Sequence, residues 1–263
     1  MENLDKKDLL VVKVGTNLLV DKTQDQEKLN DNSFIHIGSQ ALELTESGYG
    51  VVIVSSGAVT AGVISDGKKR DGTEEMVELQ RYAARGWDSV VKAWKRAIGS
   101  NRVSSTLLTK RELRDQKTRK SALGVIACCL GHQDIFIVNE NDTISDDELK
   151  YGNNDTLAGE LASTLAVAGI FKSARLVLLT DKSGLNRDKN DDSTLIRVVS
   201  DIESVRLYAD DSGDINSKGG MLTKLNAAEH AKFFGIETFI AGGAEDSSIT
   251  RAVSGEIGTR FKI

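Results

Sequence analysis

The sequence predicts an α/β fold in which helices cover both faces of a mostly parallel sheet. Short apolar runs typical of buried strands alternate along the chain with longer segments whose apolar residues recur at helical spacing. No repeat, low-complexity tract or linker interrupts this alternation, which predicts a single domain over residues 1–263. A chain of 263 residues is long enough for one large domain of this class.

The first half of the chain contains a series of predicted strands, each a short, β-rich apolar run bounded by glycine or polar residues. They lie at 9–14, 51–54, 103–108 and 134–138. Between them, apolar residues at helical spacing predict helices. These lie at 27–47, 58–64, 79–98 and 111–130, and the charged segment 65–73 is a predicted surface loop.

The second half continues the same alternation. Asn154 or Asp155 caps a predicted helix that ends near residue 168, and Gly219 and Gly220 open another that ends near residue 234. The residues of that second helix expected to face inward are Leu222, Leu225, Ala228 and Ala231. The remaining predictions are strands at 175–179, 236–241 and 258–263, helices at 201–208 and 245–253, and a polar, mobile segment at 182–194.

Composition and charge exclude several classes of protein. The net charge of −5 argues against broad nucleic-acid binding, which requires a basic surface. No apolar run approaches the roughly 18 residues of a membrane span, and residues 1–8 lack the apolar core of a signal peptide. Cys128 and Cys129 lie in an apolar stretch and are predicted to be buried packing residues. We therefore expect a reduced, cytoplasmic setting.

Polar side chains are concentrated where the strand at 134–138 ends. Residues 139–143 form one cluster of carboxamides and carboxylates, and residues 150–156 form a second shortly after it. Polar turns are common, so a surface loop is the alternative interpretation. In open α/β sheets, however, ligands bind at the carboxyl ends of the strands. Two clusters so close together therefore favour a site for a small, polar, charged molecule.

Other predicted strands end in residues suited to binding anions. Lys13 with Gly15, residues 55–57, and Thr180 with Asp181 should gather at the same sheet edge. Glycine at the start of a helix lets backbone N–H groups approach a phosphate, and Gly220 precedes the helix that carries Lys224. Each turn alone is a common connection. A lysine at the end of a buried strand is less common, so we expect Lys13 to have an anionic partner.

Standard nucleotide-binding and catalytic motifs are absent from the sequence. It contains neither G-x-x-x-x-G-K-[ST] nor a G-x-G-x-x-G after a strand, and no protein-kinase catalytic loop. His36, His132 and His230 are far apart in the sequence and suggest neither a zinc site nor a Ser-His-Asp triad. Each is predicted to be a surface or packing residue, and no metal ligands are predicted.

The chain resembles the amino acid kinase family along nearly its whole length. The matching segments are 12–16, 54–59, 138–143, 152 with 154–157, 178–181 with 184–185, and 219–224. The pairing of N-E-N-D-T with a downstream N-D-T resembles the branch that phosphorylates glutamate. The lysine–glycine strand end is shared more widely, including with carbamate, aspartate, N-acetylglutamate and UMP kinases.

The resemblance implies a fold and a reaction. The fold is a three-layer α/β/α sandwich, with an amino-acid-binding part at roughly 1–170 and a nucleotide-binding part at roughly 171–263. The reaction is ATP-dependent phosphorylation of the L-glutamate γ-carboxylate to L-glutamyl 5-phosphate, the first step of proline biosynthesis. ATP would be the co-substrate, and Mg²⁺ would bridge its phosphates. A carboxylate with a pKa near 4.3 is already ionised at pH 7, so no general base is needed.

The resemblance also implies roles for individual residues. Lys13 and Lys224 would flank the transferring phosphoryl group, and Asp155 would orient the two lysines. The implied glutamate-binding residues are Ser56, Asp142 and Asn154. The implied nucleotide-binding residues are Lys13, Gly15, Thr180, Asp181, Lys218, Gly219, Gly220, Met221 and Lys224.

The chain departs from the family pattern in several places. Asn153 stands where the family usually has Asp, Lys218 where it has Thr or Ser, and Trp87 where Gln is common. Residues 187–189 replace an Asp-Pro after the Gly-Leu turn. These departures bear on substrate affinity and the nucleotide loop more than on the reaction class. Many bacterial relatives carry a C-terminal PUA domain, so a chain ending at Ile263 is expected to be the short form.

The resemblance suggests partners and leaves alternatives open. Beyond glutamate and ATP, the candidate partners are proline as a feedback inhibitor and glutamyl phosphate reductase downstream, and the chain is expected to form a homo-oligomer, a dimer or tetramer. No nucleic acid and no membrane partner is expected. One alternative is another kinase of this fold that acts on N-acetylglutamate, aspartate or UMP. Another is a non-catalytic amino-acid-binding regulator, which the retention of Lys13 and Lys224 disfavours.

Overall fold

The computed structural model describes residue 4 and residues 7–22, 27–70, 72–145, 154–209 and 220–263. Its centre is an eight-stranded sheet in the order β5-β6-β4-β1-β7-β9-β10-β8. The strands of this sheet are β1 Asp8–Val14, β4 Gly50–Ser55, β5 Val103–Leu108, β6 Ile135–Glu140, β7 Ser173–Thr180, β8 Val198–Val199, β9 Glu237–Gly242 and β10 Thr259–Phe261. A separate hairpin pairs β2 Val20–Lys22 with β3 Glu27–Leu29.

The sheet is mostly parallel, as the sequence predicts. β5, β6, β4, β1, β7 and β9 run parallel to one another, and β10 pairs antiparallel with β9. The carboxyl ends of the six parallel strands therefore lie along one edge of the sheet. Strand order reverses at β1, because β4 lies on one side of it and β7 on the other. Such a switch point opens a crevice for ligands at the carboxyl ends of the strands.

Helices cover both faces of the sheet and produce a three-layer α/β/α sandwich. The helices in the described residues are α1 Thr16–Leu19, α2 Asp31–Glu46, α3 Ala58–Ser65, α4 Met76–Ile98, α5 Lys110–Arg114, α6 Gln116–Gly131, α7 Asn154–Val167, α8 Met221–Phe233 and α9 Ser248–Ser254. One core contains residues of α5, α6, α7 and α8, and the other contains residues of α2, α4 and α9. Within the described part of the chain, none of the helices combines the length and the apolar character needed to cross a membrane.

The alternation of side chains along β1 determines which layer receives Lys13. Leu9 and Val11 pack into the core formed with α7 and α8, whereas Leu10 and Val12 pack into the opposite core. Because strand side chains alternate between faces, Lys13 points to the same side as Leu9 and Val11. A register shift of one residue would move Lys13 to the other layer.

Two helix boundaries differ from the prediction for local reasons. Glu27–Leu29 forms a strand rather than a helical turn because it pairs with β2, and the Asn30 side chain then caps α2 by accepting from the Ser33 N–H. The helix predicted at 111–130 is broken at Asp115. Asp115 has extended backbone angles, and its side chain accepts from the Thr118 N–H, which starts α6 as a new helix.

Two predictions of burial are wrong. Cys128 is exposed and Cys129 is partly exposed, because Ile126 and Leu130 occupy the inward face of α6. Leu222 is 44% exposed, since it lies about 200° around α8 from the buried Lys224.

The polar segment predicted to be mobile is held by hydrogen bonds. Ser183 and Asn186 both donate to the Asp192 carboxylate. Asn186 also forms a β-bridge with Leu195, and the Leu185 N–H donates to Thr259. These contacts attach the segment to β10.

Helices α3 and α4 cross with their backbones in direct contact. A Cβ atom added to Gly86 would lie 1.9 Å from the Ala58 carbonyl oxygen, and one added to Gly62 would lie 2.0 Å from the Tyr82 carbonyl oxygen. Only glycine fits at these positions without moving the helices. The crossing therefore fixes the start of α3, which directly follows Ser56 and Gly57 at the carboxyl end of β4.

We expect Gly86→Ala to lower the free energy of unfolding by about 1–3 kcal/mol, because the added methyl group forces α3 and α4 apart. Gly124→Ala is the matched control. Gly124 is an exposed helical glycine with no atom within 4 Å of an added Cβ, so that substitution should be neutral or stabilise the helix. Urea unfolding of both variants measures the difference, and equal stability of the two would contradict the close crossing.

Candidate functional site

A buried carboxylate joins the two lysines that the sequence singles out. The Lys13 Nζ lies 2.8 Å from Asp155 Oδ1, and the Lys224 Nζ lies 3.1 Å from Asp155 Oδ2. Lys13 is the last but one residue of β1, Asp155 is in the first turn of α7, and Lys224 is in the first turn of α8. Asp155 is fully buried and each lysine is only 5% exposed. The three side chains thus form one compact ion cluster at the sheet edge.

The electrostatics of this cluster favour the ionised form of Asp155. Burial raises the pKa of the Asp155 carboxyl, but the charges of Lys13 and Lys224 outweigh it and hold that pKa at about 2. Burial lowers the pKa of the Lys224 ammonium, and the charge of Lys13 adds to this effect, although Asp155 opposes it. Two ammonium groups thus lie beside one carboxylate at the sheet edge. Ammonium groups bind anions such as phosphate through charge-assisted hydrogen bonds.

The β7 side of the cluster contains the start of α8 and two glycines. Gly220 precedes α8, whose first turn presents unpaired N–H groups and a positive dipole end. A Cβ atom on Gly15 would lie 3.7 Å from the Lys13 Nζ, so the glycine leaves the ammonium accessible from the backbone side. Burial is the largest influence on the Lys224 ammonium and lowers its pKa, and the charge of Asp181 acts in the opposite direction.

Thr180 and Asp181 follow β7 on this same side. The Thr180 hydroxyl donates to Asp181 Oδ1 over 3.1 Å, and the Asn17 side chain donates to Oδ2 over 3.3 Å. Met221 begins α8 and packs partly against the core. The structure therefore brings Gly15, Thr180, Asp181, Gly220 and Met221 to one side of the cluster.

Residues on the β4 side form a connected polar network. The Asn154 Nδ2 donates to the Ser56 hydroxyl over 3.1 Å and to Asn139 Oδ1 over 2.9 Å. Asn154 Oδ1 accepts from the Glu140 N–H over 3.3 Å. Because Asn154 and Asp155 are adjacent at the start of α7, this network and the ion cluster are held by the same helical turn. They lie at the ends of β4 and β6.

Asp142 adds a buried acid to this network. Burial raises the pKa of its carboxyl to about 7, although a hydrogen bond from Asn139 acts in the opposite direction. Among the described residues, none donates a hydrogen bond to Asp142 Oδ1. A buried carboxylate with an oxygen that accepts no hydrogen bond is suited to a cationic ligand group. Such a group would lower the pKa of the Asp142 carboxyl again.

Some predicted residues lie outside the part of the chain that the structure describes. These are Lys218, Gly219 and the variant position Asn153, with Lys150, Tyr151 and Gly152 of the second polar cluster. Trp87 is half-buried and packs against the core between the sheet and α2 and α4. Within the described residues, no group of three or more His, Cys, Asp and Glu side chains is placed to hold a metal ion.

Two residues connect the site through contacts that the sequence does not indicate. Asn139 links Asn154 with Asp142, and Thr223 donates to Asp155 Oδ2 over 2.7 Å. The sequence places Asn139 in a polar cluster and Thr223 in the segment 219–224 that resembles the family, without assigning either of them a partner.

The chain matches a protein-family model and many curated proteins. The family model described as "Amino acid kinase family" matches residues 8–242. Glutamate 5-kinase 2 of Pseudoalteromonas translucida is 34% identical, covering 98% of this chain and 69% of the relative. Glutamate 5-kinase of Herpetosiphon aurantiacus is 36% identical, covering 96% and 68%. Glutamate 5-kinase of Acinetobacter baumannii is 31% identical, covering 96% and 66%. The chain thus spans about two thirds of the length of these relatives.

Solved structures share the fold at low sequence identity. The crystal structure of N-acetylglutamate synthase from Neisseria gonorrhoeae, complexed with coenzyme A and L-arginine, has a TM-score of 0.63 at 16% identity, covering 98% of this chain and 61% of that one. Isopentenyl phosphate kinase has a TM-score of 0.56 at 16% identity, covering 97% and 100%. These likenesses show the α/β/α architecture alone.

The raised pKa of Asp142 predicts a pH-dependent stability. The folded chain keeps a proton on this carboxyl that the unfolded chain, with a pKa near 3.9, has already lost. The free energy of unfolding should therefore fall as pH rises from about 4 to about 7. Relative to Asp142→Asn, we expect the wild-type protein to lose about 1–3 kcal/mol between pH 5 and pH 8.

Urea unfolding at the two pH values measures this effect. Asp246→Asn, which neutralises an exposed carboxylate, is the control and should follow the wild-type protein at both pH values. If the wild-type and Asp142→Asn proteins kept a constant stability difference, Asp142 would not be the titrating group.

Proposed function

The chain belongs to the amino acid kinase family, and on that premise we propose that it is a glutamate 5-kinase, which transfers the γ-phosphoryl group of ATP to the γ-carboxylate of L-glutamate. The products would be L-glutamyl 5-phosphate and ADP. The observation that carries the proposal is the pair of buried lysines on one buried carboxylate, between a polar network and the start of α8. The relatives named glutamate 5-kinase support the choice of acceptor.

The ion cluster suits this reaction because the obstacle is charge repulsion. The acceptor carboxylate is ionised at neutral pH, so the enzyme has no proton to remove. It must instead bring an anion to a polyphosphate, and the catalytic contribution is positioning with positive charge. Lys13 and Lys224 supply that charge on either side of the transferring group. Asp155 keeps the two ammonium groups apart and oriented without entering the reaction.

The polar network on the β4 side is the proposed glutamate site. Asp142 would bind the α-ammonium group, which provides the cation that its buried carboxylate lacks among the described residues. Ser56 offers a hydroxyl to the substrate carboxylates without adding negative charge. Asn154, whose two N–H groups donate to Ser56 and Asn139, would exchange one of these hydrogen bonds for one to the substrate. Because Asn154 is adjacent to Asp155, substrate bound there is held next to the lysines.

The β7 side is the proposed ATP site. The start of α8 and Lys224 would receive the phosphates, with Gly15, Thr180, Asp181, Gly220 and Met221 around them. Lys218 and Gly219 are also proposed to bind the nucleotide, as the family pattern implies. Asp155 is engaged by two lysines, and the described residues contain no group of three or more His, Cys, Asp and Glu side chains placed to hold a metal ion. We therefore propose that Mg²⁺ enters on the ATP phosphates, where it commonly keeps several waters and neutralises phosphate charge.

The strand order supports a division of the domain into two functional parts. The amino-acid-binding part, roughly 1–170, supplies β1, β4, β5 and β6, and the nucleotide-binding part, roughly 171–263, supplies β7 to β10. The proposed product is the first intermediate of proline biosynthesis. A cytoplasmic homo-oligomer, inhibited by proline and passing its product to glutamyl phosphate reductase, is the setting proposed with it.

Trapping the product as a hydroxamate tests the proposed reaction. Purified protein with ATP, Mg²⁺, glutamate and hydroxylamine should form γ-glutamyl hydroxamate with stoichiometric ADP, because hydroxylamine captures an acyl phosphate. Aspartate, N-acetylglutamate and UMP, each supplied with ATP, serve as competing acceptors. ADP release that is faster with one of these than with glutamate would reassign the substrate. Ligand binding without ADP release would favour a non-catalytic regulator.

We expect Lys224→Ala to lower kcat by roughly 10²–10³-fold while the KM for glutamate changes little, since this lysine stabilises charge on the phosphoryl group in the transition state. Lys232→Ala is the control on the same helix, because Lys232 is half-buried and donates to the Ser200 carbonyl away from the site. Steady-state kinetics measures both variants. A Lys224→Ala enzyme with a normal kcat would remove this lysine from the mechanism.

A further inference from the structure

Thr223 lies between the helix start and the ion cluster. Its hydroxyl is 2.7 Å from Asp155 Oδ2 and 2.8 Å from the Gly220 carbonyl oxygen. Asp155 Oδ2 is the oxygen that also binds Lys224. Thr223 therefore contacts the same atom as the catalytic lysine beside it, from within the same helical turn.

The hydroxyl has one proton and two acceptors, so it can donate fully to one of them at a time. The ionised carboxylate is the stronger acceptor, and a distance of 2.7 Å is typical of a hydroxyl bound to a charged oxygen. The Thr223 hydroxyl thus satisfies part of the charge of Asp155 Oδ2. Without it, that oxygen would depend more heavily on the Lys224 ammonium.

We propose that Thr223 is a positioning residue that anchors Asp155, so that Lys224 can turn from the carboxylate to the transferring phosphoryl group. This inference rests on the proposed function and adds to it a residue that does not itself contact the reacting atoms. Lys224 has to serve two anions, the carboxylate in the resting site and the phosphate during transfer. A second donor on Asp155 Oδ2 reduces the cost of that change of partner.

The charges around Lys224 show how the Thr223 hydroxyl affects this lysine. Charged groups that act on the Lys224 ammonium include Asp155 from α7, Lys13 from β1 and Asp181 after β7. Of these, Asp155 is the one that Thr223 contacts. Removing the hydroxyl leaves the carboxylate more basic and more strongly paired with Lys224. The pKa of the Lys224 ammonium should then rise, and its transfer to phosphate should become less favourable.

Two substitutions separate the hydroxyl from the shape of the side chain. Thr223→Val keeps the branched shape and removes the donor, whereas Thr223→Ser keeps the donor and removes a methyl group. We expect Thr223→Val to lower kcat by about 10-fold or more, with the KM for glutamate within about twofold of wild type. Thr223→Ser should retain most of the wild-type kcat. If Thr223 acted only through packing, Thr223→Val would instead retain the higher kcat of the two variants.

Thr164→Val is the matched control. Thr164 is a half-buried helical threonine on α7 whose hydroxyl donates to the Glu160 carbonyl, away from the ion cluster. It should have wild-type kinetics. The pKa of the Lys224 ammonium, followed by NMR in substrate-free protein, should be about 0.5–1 unit higher in Thr223→Val than in Thr223→Ser.

The outcomes distinguish this inference from the proposed function. If wild-type protein forms no γ-glutamyl hydroxamate, the proposed function fails, whereas the pKa comparison still tests the contact between Thr223 and Asp155. If wild-type and Thr164→Val proteins are active and Thr223→Val has a normal kcat, the positioning role alone is overturned. The same holds if Thr223→Ser is as impaired as Thr223→Val.

Discussion

The architecture of the site depends on the burial of a single carboxylate, Asp155. A carboxylate removed from water needs opposite charge close by, and here it receives two ammonium groups and a hydroxyl. Lys13 arrives from the first strand and Lys224 from a helix more than two hundred residues later in the chain. The parallel sheet makes this meeting possible, because it aligns the ends of β1 and β7 at one edge with the starts of α7 and α8 above them. The alternation of side chains along β1 then directs Lys13 into the layer that those two helices occupy.

The cluster also separates two environments of different chemistry. On the β4 side, hydroxyl and carboxamide groups surround one buried acid, which suits a zwitterionic molecule of defined length. On the β7 side, a helix start and glycine backbone face outward, which suits the less directional binding of phosphates. The switch in strand order at β1 puts Lys13 on the boundary between them. One side chain can therefore act on ligands from both sides without any rearrangement of the fold.

The sequence carried enough information for the sheet and for most of the site. Apolar runs are unambiguous when strands are buried on both faces, and polar residues directly after them mark the binding edge. The side-chain contacts that connect the site could not be predicted from the sequence, because they depend on how distant segments pack together. Asn139 looked like one member of a polar cluster until the structure placed its side chain between Asn154 and Asp142. Thr223 lies in a segment that resembles the family, but its contact with Asp155 depends on how α7 and α8 pack together. The outward position of Cys128 was missed because an apolar neighbourhood in sequence does not specify a helix face.

The separation of the two lysines by more than two hundred residues has a consequence for biosynthesis. While α8 is still inside the ribosome, Asp155 can pair with Lys13, but its other oxygen lacks the Lys224 ammonium and the Thr223 hydroxyl. Docking of α7 should therefore stay incomplete until α8 has emerged and folded beside it.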